Sequence, residues 1–445
     1  MPDAYFKKKL KVKANKEIYM RTKEEILQII EEEDVEFIRL QFTDVWGNLK
    51  NIAITPGQIV RVIDNMYSIE SAALFDGLYD YKEEIYLYPD LDSFVILPWR
   101  PQQAKVGKMI CDVYLENGTP CPMNPRTILK NVVDKAKEEG YTFMVNPECE
   151  FFLFHTDDNG NPTAVTHERA GYLDVGPIDF GENARRDIVL TLEDMGFEIE
   201  SSHHQKAPAQ HEIDFAQDES LQTADNVTTF KFAVRSIAKR FGLYATFMPK
   251  PNNRVAGSGM HLNFSMYKDG VNLFEDYEGV GITDYAKYFM GGIMAHARGL
   301  CAITNPIVNS YKRLLSGCHA PGQIDWSKKG ECTFIKHHRN AGETKVELRF
   351  PDPAANPYLA IAACIAAGLD GVKNKLEPST ENEKYSITEP TNLMEAIISL
   401  KEDKVIADIL GDELVKIYSE VKTNEWNGYM LEVSDWEINR YLGRM

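Results

Sequence analysis

Polar and apolar residues alternate in four short stretches of this chain: Pro147-Glu-Cys-Glu-Phe151, His211-Glu-Ile-Asp-Phe215, Met260-His-Leu-Asn-Phe-Ser265 and Lys345-Val-Glu-Leu-Arg-Phe350. Successive side chains of a strand point to opposite faces, so His261, Asn263 and Ser265 share one face while Met260, Leu262, Phe264 and Met266 share the other. Lys345, Glu347 and Arg349 oppose Val346, Leu348 and Phe350 in the same way. Helical patterns surround these strands. Thr22-Lys-Glu-Glu25 reads as a capping box opening a helix through Glu31, followed by a strand over Phe37 to Phe42 and a turn at Asp44-Val-Trp-Gly-Asn48. Phe94 to Leu97 and Met109 to Leu115 read as strands. Arg126 to Glu139, Gly181 to Met195, Thr223 to Phe241 and the Ala-rich stretch Ala354 to Leu369 read as helices, the last buried.

One polar strand face is ordinarily a solvent face, but four that are rich in Glu and His point to a shared cavity. Such a cavity needs cations. Glu148 and Glu150, two residues apart, reach inward from one strand, and Glu212, Glu347 and His261 arrive from others. Several carboxylates with one imidazole suit Mg²⁺ or Mn²⁺ better than a structural zinc, which favours thiolate and imidazole. Lys345 and Arg349 flank Glu347 and add phosphate-binding character, so the residues predict a metal-nucleotide site on a sheet.

Composition narrows the class. The chain has 445 residues, enough for more than one domain, with 49 Lys plus Arg against 67 Asp plus Glu and a net charge of −18, which disfavours nucleic acid as a partner. Cysteines at 111, 121, 149, 301, 318, 332 and 364 form no CxxC pair and fit a reducing compartment. No run approaches the roughly 20 apolar residues of a membrane span, and the first residues lack the apolar stretch of a secretory signal. The expectation is a cytoplasmic protein with no membrane or nucleic-acid partner. Residues 1–16 read as a solvated basic arm, and Pro120, Pro122 and Pro125 mark a boundary between units of residues 17–120 and 121–445.

Several longer runs carry a resemblance. Ile38-Arg-Leu-Gln-Phe-Thr-Asp44, Tyr86-Leu-Tyr-Pro-Asp90, Pro147-Glu-Cys-Glu-Phe-Phe-Leu-Phe154, Gly181-Glu-Asn-Ala-Arg-Arg-Asp187, Gly257-Ser-Gly-Met-His261, Asn309-Ser-Tyr-Lys-Arg-Leu314 and Pro351-Asp-Pro-Ala-Ala-Asn-Pro-Tyr358 resemble type I glutamine synthetase, in that family's order. The resemblance implies an α+β fold: a small β-grasp-like N-terminal domain and a large catalytic domain with a mainly antiparallel curved sheet flanked by helices. It also implies a homo-oligomer, a dodecamer of two stacked hexamers with each active site between subunits. The activity implied is ATP-dependent ligation of glutamate to ammonia through an acyl phosphate, with Mg²⁺ or Mn²⁺. Carried over by motif, Glu150 and Glu212 would hold one metal, and Glu148, His261 and Glu347 the metal nearer the transferring phosphate. Glu200, Asn263, Ser265 and Lys345 fall at the nucleotide. Gly257, His261, Arg313 and Arg349 fall where glutamate and the transferring phosphate are gripped. The segment from Leu376 to Thr391 is short and shows no counterpart of an adenylylation site, so control by adenylylation is not expected.

The departures cluster. Gln205 stands where a metal-binding Glu is usual, which predicts weaker binding of the second cation. Glu70 is at best a displaced stand-in for the ammonium-pocket Asp. His319 replaces the flap Glu; its imidazole can still take a proton near neutral pH but offers no fixed negative charge. Glu331 and Lys336 occupy usual Arg positions, and Ala256 a usual Asn. Three readings stay open: a glutamine synthetase tolerating these changes, a ligase for an amine larger than ammonia, or a non-catalytic oligomer of the same fold. The retained Glu148, Glu150, Glu212, His261, Glu347, Arg313 and Arg349 favour catalysis, because a scaffold has no use for a cavity lined with like charges.

Overall fold

A computed structural model describes residues 20–443 apart from 80, 101–102, 278, 280, 316–318 and 341. The basic arm expected over 1–16 therefore lies outside the described residues, as do Gly317 and Cys318. The first helix, Lys23–Glu32, opens on the expected box: Glu25 N–H donates to Thr22 Oγ1 (3.3 Å) and Thr22 N–H to Glu25 Oε2 (2.8 Å). A mixed sheet follows from β1 (Val35–Thr43), β2 (Leu49–Ile54), β3 (Tyr67–Ile69), β4 (Ile85–Pro89), β5 (Val95–Ile96) and β6 (Lys105–Leu115), in the order β2-β1-β6-β4-β3 with β5 also on β6. β1 and β6 are parallel, and the other pairs are antiparallel.

The larger sheet has ten strands: β7 (Thr142–His155), β8 (Ile199–His204), β9 (Gln210–Phe215), β10 (Asp218–Glu219), β11 (Leu243–Thr246), β12 (Met260–Lys268), β13 (Val271–Asn272), β14 (Trp326–Ser327), β15 (Ile335–Asn340) and β16 (Glu343–Leu348). Its order is β14-β15-β16-β12-β7-β9-β8, antiparallel except for β14 on β15, with the long β7 near the middle. Val145, Cys149, Phe151, Ile213, Met260, Leu262, Phe264, Val346 and Leu348 all enter one buried core. Helices Ser220–Arg240 and Pro357–Asn374 pack in that same core through Phe230, Val234, Ile361 and Ile365. Burying one whole face fixes register, because a slip of one residue would exchange core and polar side chains.

The Ala-rich helix runs Pro357–Asn374 rather than Ala354 to Leu369. Asn356 sets its start: its Oδ1 accepts from Tyr358 N–H (3.0 Å), and Pro357 at the first position needs no backbone donor. The same Asn356 donates to the carbonyls of Asp44 (2.9 Å) and Val45 (3.2 Å), so one residue both caps the helix and ties it to the first sheet's turn. Gly47 needs to be glycine there, with φ +88° and the Asn356 Cα 3.1 Å from where a Cβ would lie. Arg126 makes a second link, joining Asp90 (2.6 Å) and Asp112 of the small sheet to Asp225 (2.9 Å) on the Ser220–Arg240 helix.

His296, between helices Asp284–Ala295 and Ala297–Thr304, bridges Asp403 (2.9 Å) and Asp370 (3.1 Å). Burial works against its charge, but the hydrogen bonds and charges of the two Asp residues win and raise its pKa. Because the folded value is the higher one, the stability it contributes is complete below the ordinary value of about 6.5 and fades as pH rises through the folded value. The variant His296→Ala is expected to lower stability by about 2 kcal/mol at pH 6. Denaturant melts should show that gap narrowing at pH 9; a constant gap would contradict the charged bridge.

Candidate active site

The registers bring the polar faces together. His261 on β12 lies opposite Glu148 on β7, Asn263 opposite both Asn146 and Glu347, Glu150 opposite Glu212, and Glu347 opposite Lys336. His261 Nδ1 is 3.2 Å from Glu148 Oε2 and 3.4 Å from Glu347 Oε1. Glu148, His261 and Glu347 each offer a ligand atom within 4.8 Å of the others. Asn263 orients this group, donating to Glu148 Oε1 (2.9 Å) and accepting at Oδ1 from His338 Nε2 (3.0 Å). Glu347 also meets Arg349, His338 (3.4 Å) and Lys336 (3.8 Å).

Glu150 and Glu212 sit beside this group, 8% and 4% exposed. Gly259 N–H and Gln210 Nε2 (3.3 Å) donate to Glu150, and Gln205 Nε2 donates to Glu212. Burial raises the pKa of Glu150, and burial with the charges of Glu150 and Glu148 pushes Glu212 well above its ordinary range. Asp214, which alternation places on the Glu212 face and which lies opposite Glu148, is pushed up to about 9 by burial and the same carboxylates. Directly opposed carboxylates repel unless cations sit between them. The donor set therefore fits hard divalent cations: oxygen ligands dominate, one imidazole joins them, and the acids are frustrated by one another. His261, buried and facing Arg349, is held well below its usual pKa and so presents a neutral nitrogen suited to a metal.

Lys345 is buried and donates to Asn146 (3.3 Å), and Ser265 Oγ, buried on the same face, has no hydrogen-bond partner among the described residues. Gly257 could not carry a side chain: a Cβ there would lie 2.3 Å from the Pro249 carbonyl. Ala256 packs with Phe152, Phe154, Ala207 and Ala209 in a small apolar cluster. Arg313 is 1% exposed and donates to the carbonyls of Arg349 (2.9 Å), Phe350 (2.8 Å) and Pro351 (3.3 Å), so it stands immediately behind Gly259 and His261. His319 has φ +59° and its Nδ1 is 3.1 Å from Lys206 Nζ; burial and Lys206 lower its pKa. Lys206 also pairs with Glu331 (2.8 Å).

Two residues stay apart from this group. Glu200 is exposed at a register shift of β8, and its carboxylate makes no hydrogen bond or ion pair among the described residues. Glu70 precedes the short helix Ser71–Phe75 of the N-terminal unit, and among the described residues no side-chain bond joins it to the large sheet. Three site residues escaped the sequence reading: Asp214, His338 and Lys206. Asp214 and His338 carry the same two-residue alternation with Glu212 and Lys336, whereas Lys206 follows the strand end and had no pattern to announce it.

A second buried group, Glu168, Asp179, His204 and His211, is joined by the Arg185 guanidinium of the chain itself. Arg185 pairs with Asp179 (2.7 Å) and reaches His211 Nδ1 (2.9 Å), while His204 meets Glu168 at 2.7 Å. It fastens β8 and β9 beside the residues that carry Gln205 and Glu212.

Comparison with known proteins gives the family. Residues 34–116 match the model of the glutamine synthetase β-grasp domain and residues 122–441 that of the glutamine synthetase catalytic domain. A glutamine synthetase of Clostridium saccharobutylicum is 49% identical over 440 residues, 95% of this chain and 99% of that protein. One from Staphylococcus aureus is 44% identical over 437 residues, 95% and 98% of the two chains. Among solved structures, ligand-free GmaS aligns with a TM-score of 0.84 at 31% identity, covering 94% of this chain and 99% of that one; a GmaS–ADP complex gives 0.83 at 31%, with the same coverage. With both family models matched in order and relatives covered almost end to end, this chain belongs to the glutamine synthetase family of ATP-dependent amide ligases.

Proposed function

We propose that this ligase activates the side-chain carboxylate of glutamate with ATP and joins it to ammonia or an amine, giving glutamine or a related γ-glutamyl amide. The observation that carries the reading is the convergence of Glu148, His261 and Glu347 within 4.8 Å, beside the opposed pair Glu150 and Glu212. Mg²⁺ or Mn²⁺ bound to these groups would offset charge on the ATP phosphates and on the carboxylate under activation. Glu148, His261 and Glu347 are the ligands for one ion, and Glu150 and Glu212, with Gln205 as a neutral neighbour, for the other.

Asn263, Ser265 and Lys345 line the side given to the nucleotide, whereas Glu200 lies on β8, apart from them. Arg349 holds its guanidinium beside Glu347, positioned to neutralise the group in transfer, with Arg313 fixing the Arg349 carbonyl from behind. His319 Nδ1 accepts from the Lys206 ammonium, so the neutral ring carries its own proton on Nε2, and Nδ1, once Lys206 turns away, is the nitrogen that takes the proton the attacking amine sheds. Its lowered pKa keeps it in the neutral, proton-accepting form at neutral pH.

A second acceptor, an amine larger than ammonia, is favoured by one feature: the mouth carries Lys206 and His319, and its Glu331 carboxylate is already paired, so it offers little to attract ammonium. The deciding assay is phosphate release from ATP with glutamate, Mg²⁺ or Mn²⁺, and either ammonia or a panel of amines. Turnover with ammonia supports glutamine synthesis, turnover restricted to another amine supports the second reading, and none with any acceptor would defeat both.

We place the domain boundary near residue 120 and the protein in the cytoplasm; among the described residues no helix is long and apolar enough to cross a membrane. Assembly into stacked rings accounts for two features. Leu431, Val433, Trp436 and Leu442 are 83%, 68%, 63% and 76% exposed at the C-terminal end, a dense apolar surface that needs a partner. Glu70, which no side-chain bond among the described residues joins to the large sheet, would serve a neighbour's site. Removal of residues 430–445 is expected to break the assembly into smaller species on light scattering; an unchanged mass would refute a role for this segment in assembly.

A further inference from the structure

Glu331 lies between β14 and β15 with a side chain 70% exposed, and its carboxylate is nonetheless paired. It meets Lys206 Nζ at 2.8 Å, and that ammonium also lies 3.1 Å from His319 Nδ1 and 5.9 Å from the centre of the Tyr172 ring. Arg349 donates Nε to the Glu331 carbonyl (3.1 Å) while pairing with Glu347 at its other end. The charges of Lys206, Arg349 and His319 all lower the Glu331 pKa, Lys206 most. A carboxylate of the chain itself is thus parked among basic groups at the rim of a site whose floor is built for cations and phosphates.

The Lys206–Glu331 pair joins two loops and is open to solvent on the Glu331 side. Such a pair contributes only about 0–1 kcal/mol, so it holds a loop in place weakly and exchanges readily. A phosphate presents more charge and more acceptor oxygens than one carboxylate and competes well for the same ammonium. Lys206 follows Gln205, whose amide already donates to Glu212, so its backbone is fixed to the metal-binding wall while its side chain spans the mouth.

We propose that Lys206 grips the phosphoryl group during transfer, and that Glu331 is its resting counter-ion, displaced outward when a phosphate ligand enters. The choice of a phosphoryl group rests on the ligase reading above. Displacement costs little because the Glu331 carboxylate passes from one exposed pairing to hydration. The cation released from Glu331 then faces Arg349 across the ligand.

The test measures binding of inorganic phosphate to the full-length protein with Mg²⁺ and saturating ADP, by calorimetry. The variant Lys206→Met is expected to weaken phosphate binding by about tenfold, with Lys206→Arg recovering most of it. Glu331→Gln should tighten binding, by up to about fivefold, because the internal competitor is gone. In the double variant Lys206→Met with Glu331→Gln, that gain should vanish. A misfolded variant cannot mimic a gain, so the opposite signs carry the test. Unchanged or weaker binding in Glu331→Gln, a gain that survives without Lys206, or no phosphate binding by either the unmodified protein or Glu331→Gln would overturn the assignment. A chain that turns over no acceptor fails the ligase reading instead, while these binding signs still decide the role of Lys206.

Discussion

Replacing Glu347 with alanine will lower ATP turnover by on the order of a hundredfold or more, a loss at least as large as removing a group that merely supports a metal ligand. Glu347 is 1% exposed, and its two oxygens meet four basic side chains: His261, His338, Lys336 and Arg349. In the proposed site it would hold an ion together with Glu148 and His261, and it anchors the Arg349 guanidinium. Without it, positive charge is left uncompensated and Arg349 loses its orientation. Glu347→Gln keeps the shape and some hydrogen bonding but not the charge, so a similar loss in that variant identifies charge as the cause. Steady-state phosphate release at saturating ATP checks this, with thermal melts to show that both variants fold. Turnover within about threefold of the unmodified protein would sink the assignment of Glu347 as a ligand.

The second large effect concerns the ions themselves. Glu150 faces Glu212, and Glu148 faces Asp214, so the metal-free protein holds directly opposed acids in a buried sheet face. Divalent metal at about 100 times its dissociation constant is expected to add about 2.7 kcal/mol per site, seen as a rise of several degrees in the melting temperature. Glu212→Gln should reverse the pattern. It removes a buried acid whose charged form burial and its neighbours disfavour and therefore stabilises the chelated protein, but it also removes a ligand and shrinks the gain on adding Mg²⁺ or Mn²⁺. Differential scanning calorimetry in chelator and in metal gives both quantities. If Glu212→Gln destabilises the chelated protein, or metal leaves the unmodified protein unchanged, the opposed acids have another purpose.

Much of this was legible in the chain because strand alternation is a local code. Glu148 with Glu150, His261 with Asn263, and Lys345 with Glu347 declare a shared face within a few residues, and the burial of Cys149, Leu262 and Val346 on the reverse side follows from the same pattern. Thr22 and Glu25 announce a helix start equally locally. Other features are properties of contact across the chain. Lys206 gains its place only when the β14–β15 loop folds over it, at a separation of 125 residues from Glu331. Arg313 is named by its motif, but only the folded chain brings it under the turn at Phe350 and Pro351, whose carbonyls accept from it. The Ala354 helix start was misplaced because alanine propensity says nothing of the Asp352 turn, whose carboxylate accepts from Ala354 N–H (2.9 Å). Propensity is a weak prior against a side chain that competes for the backbone.

The long central strand has an evolutionary consequence. Inserting or deleting a single residue within β7 would carry Glu148 and Glu150 into the space of Cys149 and Phe151 and expose the aromatic face to the cations, losing fold and chemistry together. Length variation in this lineage should therefore collect in loops such as the one after Leu376 and be purged from the strands, so a gene with a one-codon indel in β7 is read most simply as a pseudogene.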